Sequence, residues 1–498
     1  MTFNEILAVY EGYEPPEVWR HFARLNAIPR PSGQEKAAAD YVRNVADNHG
    51  ATWKSDARGN VVVYAPATAG HENASPLAIQ AHLDMVCEKR PGVTHDFTRD
   101  AIRPHRVASP DGERIYAMGT TLGADNGVGA AMALAALTSD IQHGPLELLF
   151  TVEEETGLHG AMELDASLLN SRRLINLDSE DPDEITIGCA GGGGVTLSCA
   201  ITKEDLRPGH AGLCVSVGGL QGGHSGIEIN KPLANAIKLL ARVLKTIGEK
   251  GIPFHLAHIE GGQAHNAIPR DAFAEIALSP KDAEQVRALI AETEAALRGE
   301  WSENEPDLRL IVEEIAVPPS ALARPGDAAI LQMLHELPHG VVKMSARYEG
   351  KVETSLNVAT LRMHSTPEAF EFSLHLSIRS FIGSEIVRVR DEIVQTSQGF
   401  LPNIAVEIRD AYPGWEPNPG ALLEATQRVY RQVFGIEAKV EIVHAGLECG
   451  VIADKLPGLE AVSFGPLIRG PHTPEEWVNV ESVDAIWKLL AALLGEIS

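Results

Sequence analysis

The sequence predicts an α/β fold in which a mixed, mainly parallel sheet is interrupted by an inserted α+β domain. In the first third of the chain, short apolar runs alternate with helical patterns, and this alternation is typical of α/β sheets. A run of four glycines at 191–194 then breaks the pattern and is typical of a hinge or linker. Beyond it, long amphipathic helices and alternating strands indicate an α+β domain.

The predicted elements follow one another along the chain. The first third is predicted to hold a helix, two buried strands, a helix rich in small residues and two more strands, at 34–48, 60–66, 77–84, 126–140, 146–154 and 173–179. The insert is predicted to hold two helices and two half-buried strands, at 230–250, 281–301, 370–380 and 404–412. After the breakers PGWEPNPG, the first pattern returns with helix, strand and helix at 421–434, 438–444 and 481–496. We therefore expect a first domain in two parts, 1–192 and 412–498, around an inserted domain at 193–411.

Bulk composition narrows the class of protein. The 498 residues are too many for one core, and 44% hydrophobic with 22% charged residues is ordinary for a globular protein. The formal net charge of -26 disfavours nucleic acid and anionic membranes as partners. Five cysteines without a CxxC pair, an N-terminus without a signal-peptide pattern and no long apolar stretch predict a cytoplasmic protein.

Five residues have the chemistry of metal ligands and lie in short, distinctive segments: His82, Asp125, Glu155, Asp178 and His472. Two imidazoles and three carboxylates suit a pair of zinc-like ions, because borderline cations accept both nitrogen and oxygen donors. If one carboxylate bridges the ions, each ion keeps two further ligands and open positions for water and substrate. Such open positions are typical of a catalytic metal site and not of a structural one.

The predicted strands bring most of these residues to one edge of the sheet. His82 and Asp84 lie at the C-terminal end of one predicted strand. Glu154 and Glu155 end a second strand, and Asp178 ends a third. Because the carboxyl ends of strands in an open α/β sheet line one crevice, we expect these side chains to converge.

Each segment also has an interpretation that needs no metal. Asp84 lies two residues after His82 on the same strand face, so the pair would also suit a buried hydrogen bond alone. Asp125 opens a helix, where aspartate is a common N-cap. The acidic run at 153–155 would suit a solvated loop, although stacked carboxylates at a strand end favour a nearby cation. With a cation present, one glutamate would be a ligand and its neighbour a free general base.

The insert adds polar residues in glycine-rich turns. His224 lies in GGHSG, Asn266 and Arg270 lie in GGQAHNAIPR, and Arg379 lies in the strand SIRSF. These side chains are candidates for stabilising an oxyanion or holding a substrate carboxylate. Ordinary turn and strand chemistry explains each of them as well, so the residues alone leave both interpretations open.

The order of the motifs resembles a known family. HLD, GADNG, EEETG, NLDSE, GGHSG and GPHTPEE, in this order, resemble the dinuclear-zinc exopeptidases of the aminoacylase and carboxypeptidase superfamily. HAGLECG at 444–450 and the chain length resemble the bacterial Xaa-His dipeptidases within it. The resemblance covers nearly the whole chain.

The resemblance implies which residues hold the metals. His82 and Asp178 would hold one ion, Glu155 and His472 would hold the other, and Asp125 would bridge the two. The expected cofactor is a pair of divalent ions, with zinc as the first choice and manganese or cobalt as metals that accept the same ligands.

The resemblance also implies the catalytic roles. Asp84 would orient His82, and Glu154 would be the general base. Glu153 makes the register of the acidic run ambiguous and stays an alternative base. A cis peptide bond is implied after the bridging aspartate, between Asp125 and Asn126.

For the insert, the resemblance implies a lid and dimerisation domain, and therefore a homodimer. The insert residues that would contact the substrate or the tetrahedral intermediate are His224, Asn266, Arg270 and Arg379.

The expected function is metal-dependent hydrolysis of unblocked dipeptides, of the Xaa-His type such as β-Ala-His. In the superfamily that the chain resembles, dipeptidases and aminopeptidases have aspartate at the position of Asp178, whereas aminoacylases and carboxypeptidases have glutamate there. Two alternatives stay open. One is an N-acyl amino acid deacylase on the same scaffold, and the other is a catalytically silent metal-binding interaction protein.

Overall fold

The computed structural model describes residues 1–110 and 112–498 and divides into two compact units. The first unit comprises Met1–Cys189, Trp415–Val443 and Leu447–Ser498. The second unit comprises Ala190–Gly414 and His444–Gly446. Most of the second unit is therefore one continuous stretch of chain that interrupts the first.

The helices and strands are numbered in chain order. The helices are α1 (Phe3–Tyr10), α2 (Pro16–Asn26), α3 (Lys36–Asn48), α4 (Ala124–Thr138), α5 (His159–Glu163), α6 (Ala236–Glu249), α7 (Pro280–Glu300), α8 (Gly326–Glu336), α9 (Gly383–Phe400), α10 (Ala421–Phe434), α11 (Glu448–Lys455) and α12 (Val480–Glu496). The strands are β1 (Thr52–Ser55), β2 (Val61–Ala65), β3 (Leu77–His82), β4 (Pro104–Ser109), β5 (Gly112–Ala117), β6 (Leu146–Thr151), β7 (Arg173–Asn176), β8 (Glu184–Cys189), β9 (Gly191–Asp205), β10 (Ala211–Gly218), β11 (Gly223–His224), β12 (Phe254–Gly261), β13 (Ala267–Ile268), β14 (Ala272–Leu278), β15 (Arg309–Ile315), β16 (Ser320–Leu322), β17 (Gly340–Met344), β18 (Val352–Ser365), β19 (Ala369–Ser380), β20 (Ala405–Tyr412), β21 (Lys439–Val443), β22 (Glu460–Ser463), β23 (Ile468–Arg469) and β24 (Trp477–Asn479). A short 3-10 helix covers Ala166–Leu168.

The first unit is built on a mixed sheet with the strand order β1-β2-β6-β3-β7-β22-β8-β21. The centre of this sheet is parallel, since β3 pairs in parallel with β6 and β7, and β7 pairs in parallel with β22. β3 and β6 are buried along their whole length, which is typical of the apolar central strands of a parallel sheet. The predicted α/β class with a mixed sheet is confirmed.

The register of the central strands sets where the candidate ligands emerge. His82, the last residue of β3, pairs with Thr151, the last residue of β6. Gln80 pairs with Asn176, the last residue of β7. The three parallel strands therefore end side by side, and the loops that follow them leave the sheet at the same edge.

Small residues let α4 lie against the sheet. α4 packs against α2 and β3 and is buried along most of its length. A Cβ at Gly129 would lie only 2.4 Å from the carbonyl oxygen of Leu177, so a larger residue would push the helix away. The helix begins at Ala124, two residues before the predicted start, and has non-helical backbone at Asp125 and Asn126.

The second unit is built on an antiparallel sheet with the strand order β15-β10-β14-β12-β18-β19-β9-β16. The strand β17 pairs with β18, and β20 pairs with β9. Buried side chains from α6, β14 and β19, including Leu240, Ile276 and Leu374, belong to one apolar core. This is the α+β composition that the sequence predicts for the insert.

The glycine run is part of a strand, and its interpretation as a hinge or linker was wrong. Residues 191–194 lie in β9, where they pair with β19. A Cβ at Gly191 would lie 2.3 Å from the backbone nitrogen of Gly414, and one at Gly192 would lie 2.4 Å from the ring of Tyr412. Glycine is required here because another backbone and an aromatic ring approach the strand closely.

The helices of the described residues have the lengths and caps of a globular fold. α6 begins at Ala236 and not at the predicted residue 230, because the side chain of Asn235 accepts the backbone N–H groups of Ile237 and Lys238. Within the described part of the chain, none of the helices combines the length and the apolarity that a bilayer crossing requires.

Candidate metal centre

His82 is presented by the end of β3 and is almost fully buried, with 1% of its surface exposed. Its Nε2 lies 3.2 Å from Oδ1 of Asp125 and 3.5 Å from Oδ1 of Asp178. Its Nδ1 faces the other way and lies 3.3 Å from Oδ1 of Asp84. One ring nitrogen therefore faces the candidate ligands, and the other is oriented by a carboxylate.

His472 reaches the same carboxylate from the far end of the chain. Its Nε2 lies 3.3 Å from Oδ2 of Asp125 and 3.0 Å from Oε2 of Glu155. The two oxygens of Asp125 thus face different imidazoles, Oδ1 toward His82 and Oδ2 toward His472. A carboxylate placed in this way is able to bridge two cations.

The structure brings all five candidate ligands together. Three overlapping groups of side chains have donor atoms within 4.8 Å of one another. The groups are His82 with Asp125 and Asp178, Asp125 with Glu155 and His472, and His82 with Glu154 and Glu155. Donor atoms this close are able to share a cation, since metal–ligand bonds are about 2 Å long.

Asp84 does more than orient His82. Its Oδ1 accepts the backbone N–H of Glu154, and its Oδ2 accepts the backbone N–H of Glu155, both over 3.1 Å. The hydroxyl of Ser32 also donates to Oδ2, over 2.7 Å. Burial works against the ionised form, but the hydrogen bond and charge of His82 outweigh it and lower the pKa of Asp84 to about 2. Asp84 thus ties the loop after β6 to the end of β3.

The two candidate bases differ in their surroundings. The carboxylate of Glu153 lies 2.6 Å from the guanidinium of Arg58, and Glu153 has a positive φ of 51°. Glu154, in contrast, belongs to the group with His82 and Glu155. The geometry therefore favours Glu154 over Glu153 as the free carboxylate of the site.

Asp125 is not the N-cap of α4. That position belongs to Gly123, and Asp125 itself has the extended backbone angles φ -80° and ψ 110°. The peptide bond between Asp125 and Asn126 is cis, as the resemblance implies. The amide of Asn126 donates to the carbonyl oxygen of Leu177 over 2.8 Å and to the carboxylate of Asp178. The asparagine thus links the α4 loop to the loop after β7.

The charges of the site are unbalanced. Burial raises the pKa of Asp178 to about 6 and raises the pKa of Glu154 well above its usual value. Hydrogen bonds to Asp125 and Glu155 raise the pKa of His472 to about 11. Buried carboxylates outnumber imidazoles, and this excess of negative charge is an environment that divalent cations stabilise. The donor set therefore fits divalent cations.

A buried hydrogen-bonded ladder, which the sequence analysis missed, joins the ends of three strands. Oε2 of Glu448 accepts the amide of Gln80 over 2.5 Å and the hydroxyl of Thr151 over 2.7 Å. Oε1 of Gln80 accepts the amide of Asn176 over 2.5 Å. Oδ1 of Asn176 in turn accepts the backbone N–H of Asp178 over 3.2 Å. The only sequence signal was the segment HAGLECG, which contains Glu448.

Two buried charged residues that the sequence analysis also missed hold the loop of Asp125. Arg30 donates to the carbonyl oxygens of Leu83, Asp84 and Gly123. Glu476 accepts backbone N–H groups of residues 122–125. Glu476 ends the motif GPHTPEE, and Arg30 lies in none of the motifs. The role of neither residue could be predicted from the sequence, because their partners are backbone groups of distant segments.

In the second unit, His224 and Arg379 lie close together. A Cβ at Gly226 would lie 3.1 Å from the His224 ring and 3.2 Å from Nε of Arg379. Arg379 also donates to the hydroxyl of Tyr412 over 3.3 Å. Two of the four insert candidates, Arg379 and His224, therefore lie close together, and the phenol of Tyr412 adjoins Arg379.

The other two insert candidates, Asn266 and Arg270, are exposed. The backbone carbonyl of Asn266 accepts the N–H of Ser225, over 2.8 Å, which joins its loop to the His224 turn. Nε of Arg270 donates to the carbonyl oxygen of Leu220 over 3.3 Å. Both residues thus border the turn that carries His224.

Comparisons with known proteins agree with this geometry. A family model described as Peptidase family M20/M25/M40 matches residues 78–496. The chain is 40% identical over 487 residues to the cytosol non-specific dipeptidase of Escherichia coli strain K12, covering 97% of this chain and 98% of that protein. The crystal structure of aminoacylhistidine dipeptidase from Vibrio alginolyticus superposes with a TM-score of 0.87 at 36% identity, covering 97% of each chain.

A more distant structure shares the fold alone. The aminopeptidase PepT from Bacillus cereus superposes with a TM-score of 0.61 at 17% identity, over 97% of this chain and 99% of that one. The family resemblance predicted from the motifs is confirmed by the match over residues 78–496 and by the full-length relative. The order of the motifs, the paired imidazoles around one carboxylate and these matches lead to one conclusion: the chain belongs to peptidase family M20/M25/M40.

Proposed function

We propose that this chain is a cytoplasmic metal-dependent dipeptidase whose first unit is the catalytic domain. One observation carries the proposal: Asp125 faces His82 with one carboxylate oxygen and His472 with the other, over 3.2 and 3.3 Å. A carboxylate shared in this way suits two bridged cations. The relative in Escherichia coli, named a cytosol non-specific dipeptidase, supports both the substrate class and the compartment.

The proposed cofactor is a pair of divalent ions, with zinc as the first choice. His82 and Asp178 would hold one ion, Glu155 and His472 would hold the other, and Asp125 would lie between them. Bound there, the ions supply Lewis acidity that polarises a peptide carbonyl and lowers the pKa of water.

Glu154 is the proposed general base. Its carboxyl is grouped with His82 and Glu155, and burial raises its pKa. A raised pKa suits a group that takes a proton from the attacking water and delivers it to the leaving amine near neutral pH. The same proton is thus moved twice by one side chain.

The second unit is proposed to be the lid and dimerisation domain. Arg379 suits a bidentate contact with the free carboxylate of a dipeptide, and His224 beside it suits a developing oxyanion. Asn266 and Arg270 are further candidates for substrate contact. The dimeric state is proposed from the family resemblance alone.

The test is hydrolysis of β-Ala-His, of several α-dipeptides and of an N-acetylated dipeptide by metal-reconstituted protein. The variants are Glu154→Gln and, as a matched control in the same acidic run, Glu153→Gln. We expect metal-dependent cleavage of the unblocked dipeptides, a loss of about 10²- to 10⁴-fold in kcat for Glu154→Gln, and most activity retained in the control.

Other outcomes would favour the alternatives. Cleavage of the N-acetylated substrate in preference to the unblocked ones would favour the deacylase. Tight metal binding without hydrolysis of any of these substrates would favour a silent metal-binding protein. Equal activity of Glu154→Gln and the wild type would mean that the base is another residue.

A further inference from the structure

Glu476 is a buried carboxylate that caps the start of α4. It is 2% exposed and accepts four successive backbone N–H groups at 122–125, over 2.7, 2.9, 2.7 and 3.2 Å. N–H groups at a helix start have no partner within the helix, and the helix dipole favours negative charge there. The last of the four belongs to Asp125, the proposed bridging ligand.

Arg30 holds the same loop through its carbonyl groups. It is 1% exposed and donates to the carbonyl oxygen of Gly123 over 2.5 Å. It also donates to the carbonyl oxygens of Leu83 and Asp84, over 3.0 and 2.8 Å, in the segment after β3. The loop of Asp125 is therefore fastened to the His82 side of the site by Arg30, independently of Glu476.

The segment that carries His472 is the loop between β23 and β24, and β24 in turn pairs with β5. Within this loop, Glu476 makes the attachment to the Asp125 loop. Residues 469–475 are exposed or half-buried, and Glu476 is the first buried residue after His472. Glu475 pairs with Arg90 over 2.9 Å, but both side chains are more than half exposed, and exposed pairs contribute little. The backbone N–H of Glu476 donates to the carbonyl oxygen of Thr473 over 3.1 Å, which closes a tight turn between His472 and Glu476.

We infer that Glu476 is a positioning residue that joins the His472 segment to the Asp125 loop and so sets the affinity of one of the two metal positions. The position concerned is the one formed by Asp125, Glu155 and His472. The other position shares Asp125 but takes its remaining ligands, His82 and Asp178, from the ends of β3 and β7, where Arg30 and the sheet hold the chain. The inference rests on the proposed two-metal function and adds a residue that makes neither ligand contact nor proton transfer.

The test is titration of metal-free protein with zinc against a chelating indicator, for the wild type, Glu476→Gln and Glu475→Gln. An amide at position 476 keeps the size of the side chain, but it offers one acceptor oxygen and turns a donor toward N–H groups. We expect the wild type and Glu475→Gln to bind two zinc ions. We expect Glu476→Gln to keep one site and to lose about 10- to 100-fold in affinity at the other.

A merely structural cap would lower the melting temperature without distinguishing the two sites. Unchanged affinity at both sites in Glu476→Gln, or an equal loss at both, would therefore overturn the inference. If Glu476→Gln does not fold, Glu476→Asp keeps the charge on a shorter side chain, and the same one-site loss is expected. A wild type that binds no zinc would overturn the proposed metal centre itself, and the inference with it.

Discussion

At the scale of single residues, the carboxylate of Asp84 contacts four other residues of the site. It faces Nδ1 of His82 and accepts the hydroxyl of Ser32 and the backbone N–H groups of Glu154 and Glu155. We predict that Asp84→Asn lowers zinc affinity and kcat/KM by about 10- to 100-fold, because the amide places a donor against these donors. Zinc titration and dipeptide kinetics measure the two effects.

Ser32→Ala is the matched control for Asp84→Asn. It removes a single hydrogen bond to the same carboxylate and leaves the backbone contacts of Glu154 and Glu155 in place. We expect a smaller loss than in Asp84→Asn. Wild-type zinc affinity in Asp84→Asn would contradict the role assigned to this carboxylate.

The candidate ligands could be predicted from the sequence because each lies at a strand end or a constrained turn. The residues alone left the register of the acidic run ambiguous, since Glu153 and Glu154 are distinguished by the backbone angle of Glu153, its pairing with Arg58 and the grouping of Glu154 with His82. Arg30 and Glu476 were missed for a different reason. Their partners are backbone groups, which carry no side-chain signature in a sequence.

At the scale of elements, the glycine run shows that composition alone does not distinguish a linker from a strand. Successive glycines are equally compatible with a linker and with a strand that is closely approached on both faces. In β9 the second case holds, because Gly414 and Tyr412 occupy the space of the missing Cβ atoms. The apolar runs of β3 and β6, in contrast, were predicted correctly, since burial on both faces leaves a continuous signal.

The strand position of the glycines has a measurable consequence. We predict that Gly192→Ala lowers the free energy of unfolding by about 1–3 kcal/mol, because the new Cβ would lie 2.4 Å from the Tyr412 ring. The control is Gly248→Ala in α6, where nothing lies within 4 Å of the added Cβ. There we expect a gain of about 0.5–1 kcal/mol, since alanine is the better helix former. Urea unfolding measures both, and a stabilised Gly192→Ala would contradict the close packing.

The ladder that ends at Glu448 predicts a pH dependence of stability. Burial raises the pKa of Glu448 from 4.5 to about 8. The folded protein therefore keeps this proton while the unfolded chain loses it, so stability falls as the pH rises from 4.5 to about 8. Glu448→Gln has no proton to lose. We expect it to match the wild type near pH 4.5 and to be the more stable protein at pH 8, by urea unfolding of metal-free samples.

Glu147 on the same strand as Thr151 offers the control for this experiment. Its buried carboxylate accepts backbone N–H groups of Asn170 and Ser171, away from the candidate ligands. Glu147→Gln replaces an acceptor with a donor and should lower stability at both ends of the pH range. A Glu448→Gln variant that behaved in the same way would contradict the protonated state of Glu448.

At the scale of the whole molecule, the two units have separate sheets, and the candidate ligands all belong to the first. The ligands come from residues 82 to 472, so a cation would join chain segments that lie on both sides of the insert. Ligands that bind only the folded state stabilise it by mass action. Metal should therefore stabilise the first unit by closing a loop of chain that contains the entire second unit.

Removal of the metal should change hydrogen exchange in the first unit and not in the second. In hydrogen exchange of zinc-loaded and chelator-treated protein, we expect faster exchange after chelation in peptides at the ends of β3, β6 and β7 and in the segment 470–476. Peptides from the core strands β10, β12 and β14 of the second unit should exchange at unchanged rates, because their apolar core is complete within that unit. Equal acceleration in both units would mean that the metal stabilises the molecule through a wider change than the closure of one site.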